Sequence, residues 1–171
     1  GRATANANWG NAPSVLVGDF IYSRAFQVLV GIGDMQILRL LSDTTNTIAE
    51  GEVEQLARAG DPNATEAQYT QIIGKKTAVL FAAAAEGAAI LAGATPGTRA
   101  AMRDYGMNLG LAFQLIDDVL DYTGDPQAMG KNLGDDLAEG KPTLPLIHAI
   151  AHAAPAAATV VRQAILGRDR D

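Results

Sequence analysis

The sequence predicts an all-α protein, a bundle of long helices forming a single domain over residues 1–171. Alanine is very frequent, and only 5% of the residues are aromatic although 48% are hydrophobic. Alanine has the best helix propensity, whereas strands favour β-branched and aromatic residues. Apolar residues recur at helical spacing between glycine and proline stop signals, and no strand pattern, internal repeat or interdomain linker is visible.

Start and stop signals place the helices along the chain. A proline opens the first, over residues 13–30, and the Gly60-Asp61-Pro62 stop follows the second, over residues 34–59. The third begins at Thr65, before a glutamate, and breaks near Gly74. The other predicted helices cover residues 77–91, 98–122, 142–150 and 156–166, and residues 123–140 form a polar loop.

Charge and composition exclude several classes of protein. The formal net charge of −6 argues against a nucleic-acid partner, because nucleic-acid-binding surfaces are basic. The chain has no cysteine, which excludes disulfides and thiol catalysis and suits a reducing cytoplasm. No apolar run reaches the roughly 18 to 20 residues of a membrane span, and no signal peptide is visible. We therefore expect no transmembrane segment and a cytoplasmic location.

An acidic cluster in the fifth helix is the most informative feature of the chain. At about 100° per residue, Gln114, Asp117, Asp118 and Asp121 fall within an arc of roughly 100°, and apolar residues occupy the rest of the circumference. Gly110 lies one turn earlier on this arc, where a missing side chain leaves room. Mg²⁺ prefers carboxylate oxygens and often bridges to phosphate, so the cluster indicates a Mg²⁺-diphosphate platform. The other interpretation is a solvated acidic helix face.

Basic groups elsewhere in the chain could bind the phosphates. Lys76 and Thr77 lie at the predicted break between two helices, where a hydroxyl and the free N–H groups of a helix start can bind phosphate oxygens. Lys131 and Lys141 flank an aspartate pair in the segment 129–145. Its length and glycines fit a lid that closes over a substrate, and the alternative is a charged surface loop.

Three further polar side chains have two interpretations each. Glu52 lies on the apolar stripe of the second helix, so it either faces a polar cavity or reaches solvent at the edge of the stripe. His148 and His152 have the i, i+4 spacing of a metal pair. No carboxylate accompanies them at the spacing of a zinc protease, and we expect a solvent-facing pair.

The combined motifs indicate metal-assisted ionisation of an allylic diphosphate, with apolar helix faces that keep water from the carbocation. These motifs resemble those of the trans-isoprenyl (polyprenyl) diphosphate synthases. Residues 113–121 are similar to the family's second aspartate-rich motif, Lys76-Thr77 to its diphosphate site, and residues 130–145 to its lysine-containing loop. Nearly the whole chain resembles the long-chain octaprenyl type, which makes the ubiquinone side chain in bacteria.

The resemblance implies a homodimeric, Mg²⁺-dependent prenyltransferase with long helices around a central substrate cavity. It would extend an allylic prenyl diphosphate by head-to-tail addition of isopentenyl diphosphate. By motif position, Asp117, Asp118 and Asp121 would bind Mg²⁺, Asp117 foremost, and Asp117, Asp118 and Lys76 would be the catalytic residues. The residues that would contact the allylic diphosphate or its surroundings are Lys76, Thr77, Gln114, Lys131, Lys141 and Glu52.

The chain departs from the family's pattern at both ends. Family members carry a first aspartate-rich motif and two arginines before the segment that begins here at Gly1, and further helices after the position of Asp171. We therefore expect this chain to cover the middle half of such an enzyme and to show little or no prenyl transfer alone. Two other functions stay open: a class I terpene synthase, whose second metal motif normally includes glutamate, and a non-catalytic helical subunit or fragment of a prenyl synthase.

Overall fold

The computed structural model describes residues 3–125 and 132–168. Those residues form helices joined by short connections, with no strand among them, which confirms the predicted all-α class. The elements in chain order are α1 (Ala5–Trp9), α2 (Asn11–Ile32), α3 (Met35–Ala57), α4 (Glu66–Ile73), a π-helical turn (Gly74–Ala78), α5 (Val79–Leu91), α6 (Pro96–Thr123), α7 (Asp135–Ala138), α8 (Leu144–His152) and α9 (Pro155–Gly167).

Capping residues set the helix starts. The Asp34 carboxylate accepts a hydrogen bond from the Gln36 amide at 2.7 Å, which fixes the start of α3. Thr65 and Gln68 form a reciprocal capping box at the start of α4. The start of α6 lies before the predicted one, because Thr95 caps the helix and Pro96 follows it at the first helical position.

The predicted helix break near Gly74 is wrong. Gly74 has helical dihedrals, φ −59° and ψ −50°, and the chain stays helical from α4 through the π-helical turn into α5. A π-helical turn widens the hydrogen-bonded loop by one residue without ending the helix. The helix start expected at Thr77, with free N–H groups for phosphate, therefore does not exist.

Close backbone contacts bring α3 and α6 onto the π-helical turn. A Cβ atom added to Gly110 of α6 would lie 2.5 Å from the Ala78 Cα atom, and one added to Gly51 of α3 would lie 2.8 Å from the Lys76 backbone nitrogen. The room left by Gly110 is thus filled by the neighbouring helix and is not space for a ligand. The core around these contacts consists of small and branched apolar side chains, including Ile37, Ile73, Ala78, Ala82 and Ala83.

The predicted polar loop after α6 contains the short helix α7. Two backbone hydrogen bonds attach the described part of this loop to the rest of the fold. The Gly134 amide donates to the Asp121 carbonyl at 2.8 Å, and the Gly60 amide donates to the Gly140 carbonyl at 2.7 Å. These bonds hold residues 134–140 between the end of α6 and the turn that follows α3.

Helix α2 contributes no buried side chain and exposes large apolar ones, such as Phe20, with 70% of its surface exposed, and Val30, with 72%. By length and composition alone this 22-residue helix could cross a membrane, although Asp19 and Arg24 interrupt its apolar run. Core helices and signal sequences pass the same test, so this is weak evidence. The expected absence of a transmembrane segment therefore stays a prediction.

Candidate functional site

A cavity of about 210 Å³ lies between α3, α4, the π-helical turn, α6 and the segment that contains α7. Three cationic side chains and three carboxylates line it, so it combines both charges in one enclosed space. The charged and polar lining residues are Gln55, Arg58, Gln68, Tyr69, Lys76, Gln114, Asp117, Asp118, Asp136, Lys141 and Thr143.

Five of the site residues predicted from sequence line this cavity: Lys76, Gln114, Asp117, Asp118 and Lys141. They come from the π-helical turn, from one side of α6 and from the segment after α7. Three other predicted residues lie beside the lining and contact residues of it. Thr77 contacts Gln114, Asp121 contacts Asp136, and Glu52 contacts Lys76. Lys131 lies outside the described residues.

A chain of hydrogen bonds ties the acidic cluster to the π-helical turn and α4. The Thr77 hydroxyl donates to Gln114 Oε1 at 2.9 Å, and Gln114 Nε2 donates to Asp118 Oδ1 at 2.7 Å. The Tyr69 hydroxyl donates to Asp118 Oδ2 at 2.6 Å. Both oxygens of the Asp118 carboxylate thus accept a hydrogen bond, which fixes its orientation. Thr77 acts on the site through Gln114.

The carboxylates of the acidic cluster differ in burial. Asp118 is 3% exposed and Asp121 is 1% exposed, whereas Asp117 is half-buried in the cavity wall. Burial raises the pKa of Asp118 above its ordinary value, and the hydrogen bonds from Tyr69 and Gln114 act in the opposite direction. The solvated-face interpretation of the cluster is therefore wrong for Asp118 and Asp121, which face the interior.

A second set of charges meets the cluster from the segment around α7. The Asp136 amide donates to Asp121 Oδ2 at 3.1 Å, and burial together with the Asp121 charge raises the pKa of the Asp136 carboxyl. Lys141 Nζ lies 3.5 Å from Asp136 Oδ1 and 2.5 Å from Glu139 Oε2. Burial acts to lower the pKa of Lys141, but these two acids raise it above its usual range. Lys141 is therefore a cation at the cavity wall.

The wall of the cavity at α3 is formed around Lys76. Its ammonium donates to Gln55 Oε1 at 2.7 Å and lies 3.4 Å from Glu52 Oε1. The Glu52 side chain is 49% exposed, so it reaches solvent at the edge of the apolar stripe of α3 and is not enclosed in the cavity. The carboxylate reaches the site only through its ion pair with Lys76.

Among the described residues, no carboxylate joins the two histidines in a group that could hold a metal. His148 and His152 are both exposed, their rings stack at a centroid separation of 4.0 Å, and a ring nitrogen of His152 lies 2.9 Å from the His148 carbonyl oxygen. The predicted solvent-facing pair is confirmed.

The donor set can be compared with the needs of Mg²⁺. Within residues 3–125 and 132–168 no three Asp, Glu or His side chains converge on a point that could hold a metal. Mg²⁺ is usually bound by one or two carboxylates, while waters and substrate phosphates complete its octahedron. Asp117 and Asp118 on the cavity wall meet that need, and Lys76 and Lys141 line the same cavity and could bind the phosphates. The residues fit a cation that arrives together with a phosphate ligand.

Sequence reasoning did not assign Tyr69, Arg58, Gln68 or Gln55 to the site, although all four line the cavity. Tyr69 precedes Lys76 by seven residues, which is close to two helical turns and puts both on one helix face. The break predicted near Gly74 lies between the two residues and hid this signal, because the helix in fact continues past Gly74. The contact of Tyr69 with Asp118, 49 residues away, was not readable from the chain.

Replacing Tyr69 with phenylalanine is expected to lower the free energy of unfolding by about 1.5–3 kcal/mol, the usual range for a hydrogen bond to a charged group. The buried Asp118 would keep only its bond from Gln114. Urea denaturation measures the change. Tyr105→Phe, at a side chain that is 62% exposed, is the matched control and should leave the midpoint unchanged.

The cost of Tyr69→Phe should also depend on pH. The Tyr69 hydrogen bond acts to lower the pKa of Asp118, so it stabilises the ionised carboxylate more than the protonated one. This stabilisation is present above the pKa of Asp118, which burial holds above its ordinary value, and it is partly lost as the pH falls through that pKa. The cost should be larger at about pH 8 than at about pH 4. An equal cost at both would contradict the hydrogen bond to a titrating carboxylate.

Comparisons with known proteins agree on one family. The sequence profile of the polyprenyl synthetase family matches residues 1–171. The chain is 57% identical to the octaprenyl diphosphate synthase of Haemophilus influenzae and 56% identical to that of Escherichia coli, each over 165 residues. These alignments cover 96% of this chain and 50% and 51% of the relatives, so the chain spans about half the length of the curated relatives it matches.

Solved structures share the fold. A decaprenyl diphosphate synthase from Rhodobacter capsulatus superposes with a TM-score of 0.88 at 44% identity, over 100% of this chain and 53% of that one. A polyprenyl synthase from Caulobacter crescentus, solved with calcium and isoprenyl diphosphate, superposes with a TM-score of 0.84 at 46% identity. That alignment covers 98% of this chain and 56% of the other.

Proposed function

Because the chain belongs to the polyprenyl synthetase family, we propose that the protein carrying it is a long-chain trans-polyprenyl diphosphate synthase. It adds isopentenyl diphosphate head to tail to an allylic prenyl diphosphate, and its product is of the octaprenyl type used for quinone side chains. One observation carries the proposal: Lys76 and Lys141 share a cavity with Asp117 and Asp118.

The charges of the cavity suit a diphosphate that is accompanied by a divalent cation. Lys76, Lys141 and Arg58 balance the three lining carboxylates in formal charge. A diphosphate entering alone would leave the cavity strongly negative, and anions confined together repel one another. A divalent cation carried by the carboxylates offsets that charge. The cavity therefore favours the diphosphate and the cation as a pair.

The residues have distinct roles in this proposal. Asp117, with Asp118 and Asp121, would hold Mg²⁺, whose chemistry is to stabilise the negative charge on the departing diphosphate. Tyr69 and Gln114 keep the Asp118 carboxylate oriented by donating to its two oxygens.

The cavity cations act on the phosphates. Lys76 and Lys141 donate to phosphate oxygens, and Lys131 is proposed to do the same from outside the described residues. Thr77 holds Gln114 in place from the π-helical turn. The lid predicted over residues 129–145 is part of this proposal; its first three residues lie outside the described part, and Asp136 and Lys141 of the remainder line the cavity.

Partners and location belong to the same proposal. We propose a cytoplasmic homodimer, which the apolar surface of α2 and the absence of cysteine support. A dimer interface covers large apolar side chains such as those that α2 exposes.

Product analysis tests the proposed reaction. The protein carrying this chain is incubated with Mg²⁺, an allylic diphosphate and radiolabelled isopentenyl diphosphate, and the label is expected in a prenyl diphosphate of increased length. A hydrocarbon formed from the allylic diphosphate alone would indicate a terpene synthase instead. Asp117→Asn should abolish turnover, while Asp104→Asn, on the same helix but 71% exposed and paired only locally with Arg103, should leave it unchanged. Equal activity of the two variants would contradict the assigned site.

A further inference from the structure

The π-helical turn sends two consecutive lysines to different partners on α3. Lys75 Nζ lies 2.5 Å from Glu54 Oε1 and 3.8 Å from Glu50 Oε2. Lys76 Nζ donates to Gln55 at 2.7 Å and lies 3.4 Å from Glu52. Each lysine thus has its own glutamate on α3.

The close approach of the backbones at Gly51 keeps these pairs in register. A Cβ atom at Gly51 would lie 2.9 Å from the Lys75 Cβ atom, so no larger residue fits between α3 and the turn. Next to this contact, Lys75 and Lys76 reach different acids of α3. The two ion pairs belong to one packed junction.

Only one of these pairs adjoins the cavity. Lys76 and Gln55 line it, whereas Lys75 lines a separate, shallow apolar groove with Thr47 and Val79. The hydrogen bond with Glu54 raises the pKa of Lys75, and the bond from Lys75 lowers the pKa of Glu54, so both groups of this pair are charged. Lys75 and Glu54 stabilise the junction and do not face the ligand space.

We propose that Glu52 is an internal competitor of the bound diphosphate for the Lys76 ammonium, and so sets the affinity of the site. This inference rests on the proposed function, in which Lys76 binds a diphosphate. Gln55 holds Lys76 through a neutral oxygen and does not reduce its charge. Glu52 holds it through a carboxylate, which offers the ammonium the same kind of partner that a phosphate oxygen does.

The exposure of Glu52 allows the exchange. Its side chain is 49% exposed and makes a long 3.4 Å contact, so it can turn to water when a phosphate oxygen reaches Lys76. The contact opposes anion binding by a modest amount, because ion pairs near solvent are weak and screened. Glu52 thereby keeps diphosphate binding reversible, which favours release of the inorganic pyrophosphate that each addition produces.

Calorimetric titration of inorganic pyrophosphate with Mg²⁺ into the protein carrying this chain tests the inference. Glu52→Gln removes the competing charge and should tighten pyrophosphate binding about two- to fivefold, with a smaller gain at high salt. Glu54→Gln removes an equal charge from the same helix, but its lysine is outside the cavity, so it should leave the affinity unchanged. A loss of packing would not tighten pyrophosphate binding. A gain in affinity in Glu52→Gln therefore reports the loss of the competing charge and not structural damage.

The outcomes are distinguishable. Unchanged or weaker binding by Glu52→Gln, or the same gain in Glu54→Gln, overturns the competitor role and leaves the proposed diphosphate site intact. If the unmodified protein and both variants bind no pyrophosphate, the proposed site is overturned and the role of Glu52 with it.

Discussion

Replacing Gly110 with alanine is expected to lower the free energy of unfolding by about 3 kcal/mol or more, at the upper end of the cost of overpacking a core. The added Cβ atom would lie 2.5 Å from the Ala78 Cα atom and 3.1 Å from a ring carbon of Phe81. The first obstacle is backbone, so no side-chain rotation relieves the clash and α6 must move away from the π-helical turn.

The displacement should also reach the candidate site. Gln114 and Asp118 follow Gly110 on α6 by about one and two helical turns, and their bonds to Thr77 and Tyr69 span the same junction. Urea denaturation measures the stability, and pyrophosphate titration of the folded variant measures the site. Both should be impaired.

Gly74→Ala is the matched control for this substitution. Gly74 lies in the same π-helical turn with φ −59°, and a Cβ atom there would meet no heavy atom within 4 Å. Alanine at such a position should be neutral or stabilising by up to about 1 kcal/mol. If Gly110→Ala proved as stable as Gly74→Ala, the close packing of α6 on the turn would be contradicted.

Local chemistry allowed much of the fold to be predicted from sequence. Helix starts at Asp34 and Thr65 follow from side chains that cap the next turn, and those contacts need no knowledge of the rest of the chain. The grouping of Gln114, Asp117 and Asp118 on one side of α6 follows from the helical period. These predictions depend on residues a few positions apart.

The features that could not be predicted from sequence depend on contacts between distant segments of the chain. The sequence predicted a helix break at Gly74 because glycine is a poor helix former. In the structure the chain stays helical through the π-helical turn, and α3 packs closely against that turn at Gly51. The burial of Asp118 depends on Tyr69 of α4. The exposure of Glu52 depends on how α3 lies against the turn. Periodicity gives a side chain's direction on its own helix and says nothing about what packs there.

Replacing Lys76 with alanine is expected to weaken pyrophosphate binding about 10- to 100-fold, the loss that accompanies removal of one charged hydrogen bond. Lys76 is a cation of the cavity wall, held toward the ligand space by the neutral oxygen of Gln55. Lys75→Ala is the matched control because it removes the same charge one residue away, outside the cavity. It should retain most of the affinity of the unmodified protein.

The metal dependence of pyrophosphate binding tests most directly the claim that this cavity takes a diphosphate together with a divalent cation. The measurement is a calorimetric titration of the unmodified protein with pyrophosphate, with Mg²⁺ present and with a chelator in its place. We expect strong binding with Mg²⁺, much weaker binding with the chelator, and a loss of affinity in Lys76→Ala that Lys75→Ala does not share. Equal affinity with and without Mg²⁺, or equal affinity of the two lysine variants, would contradict it.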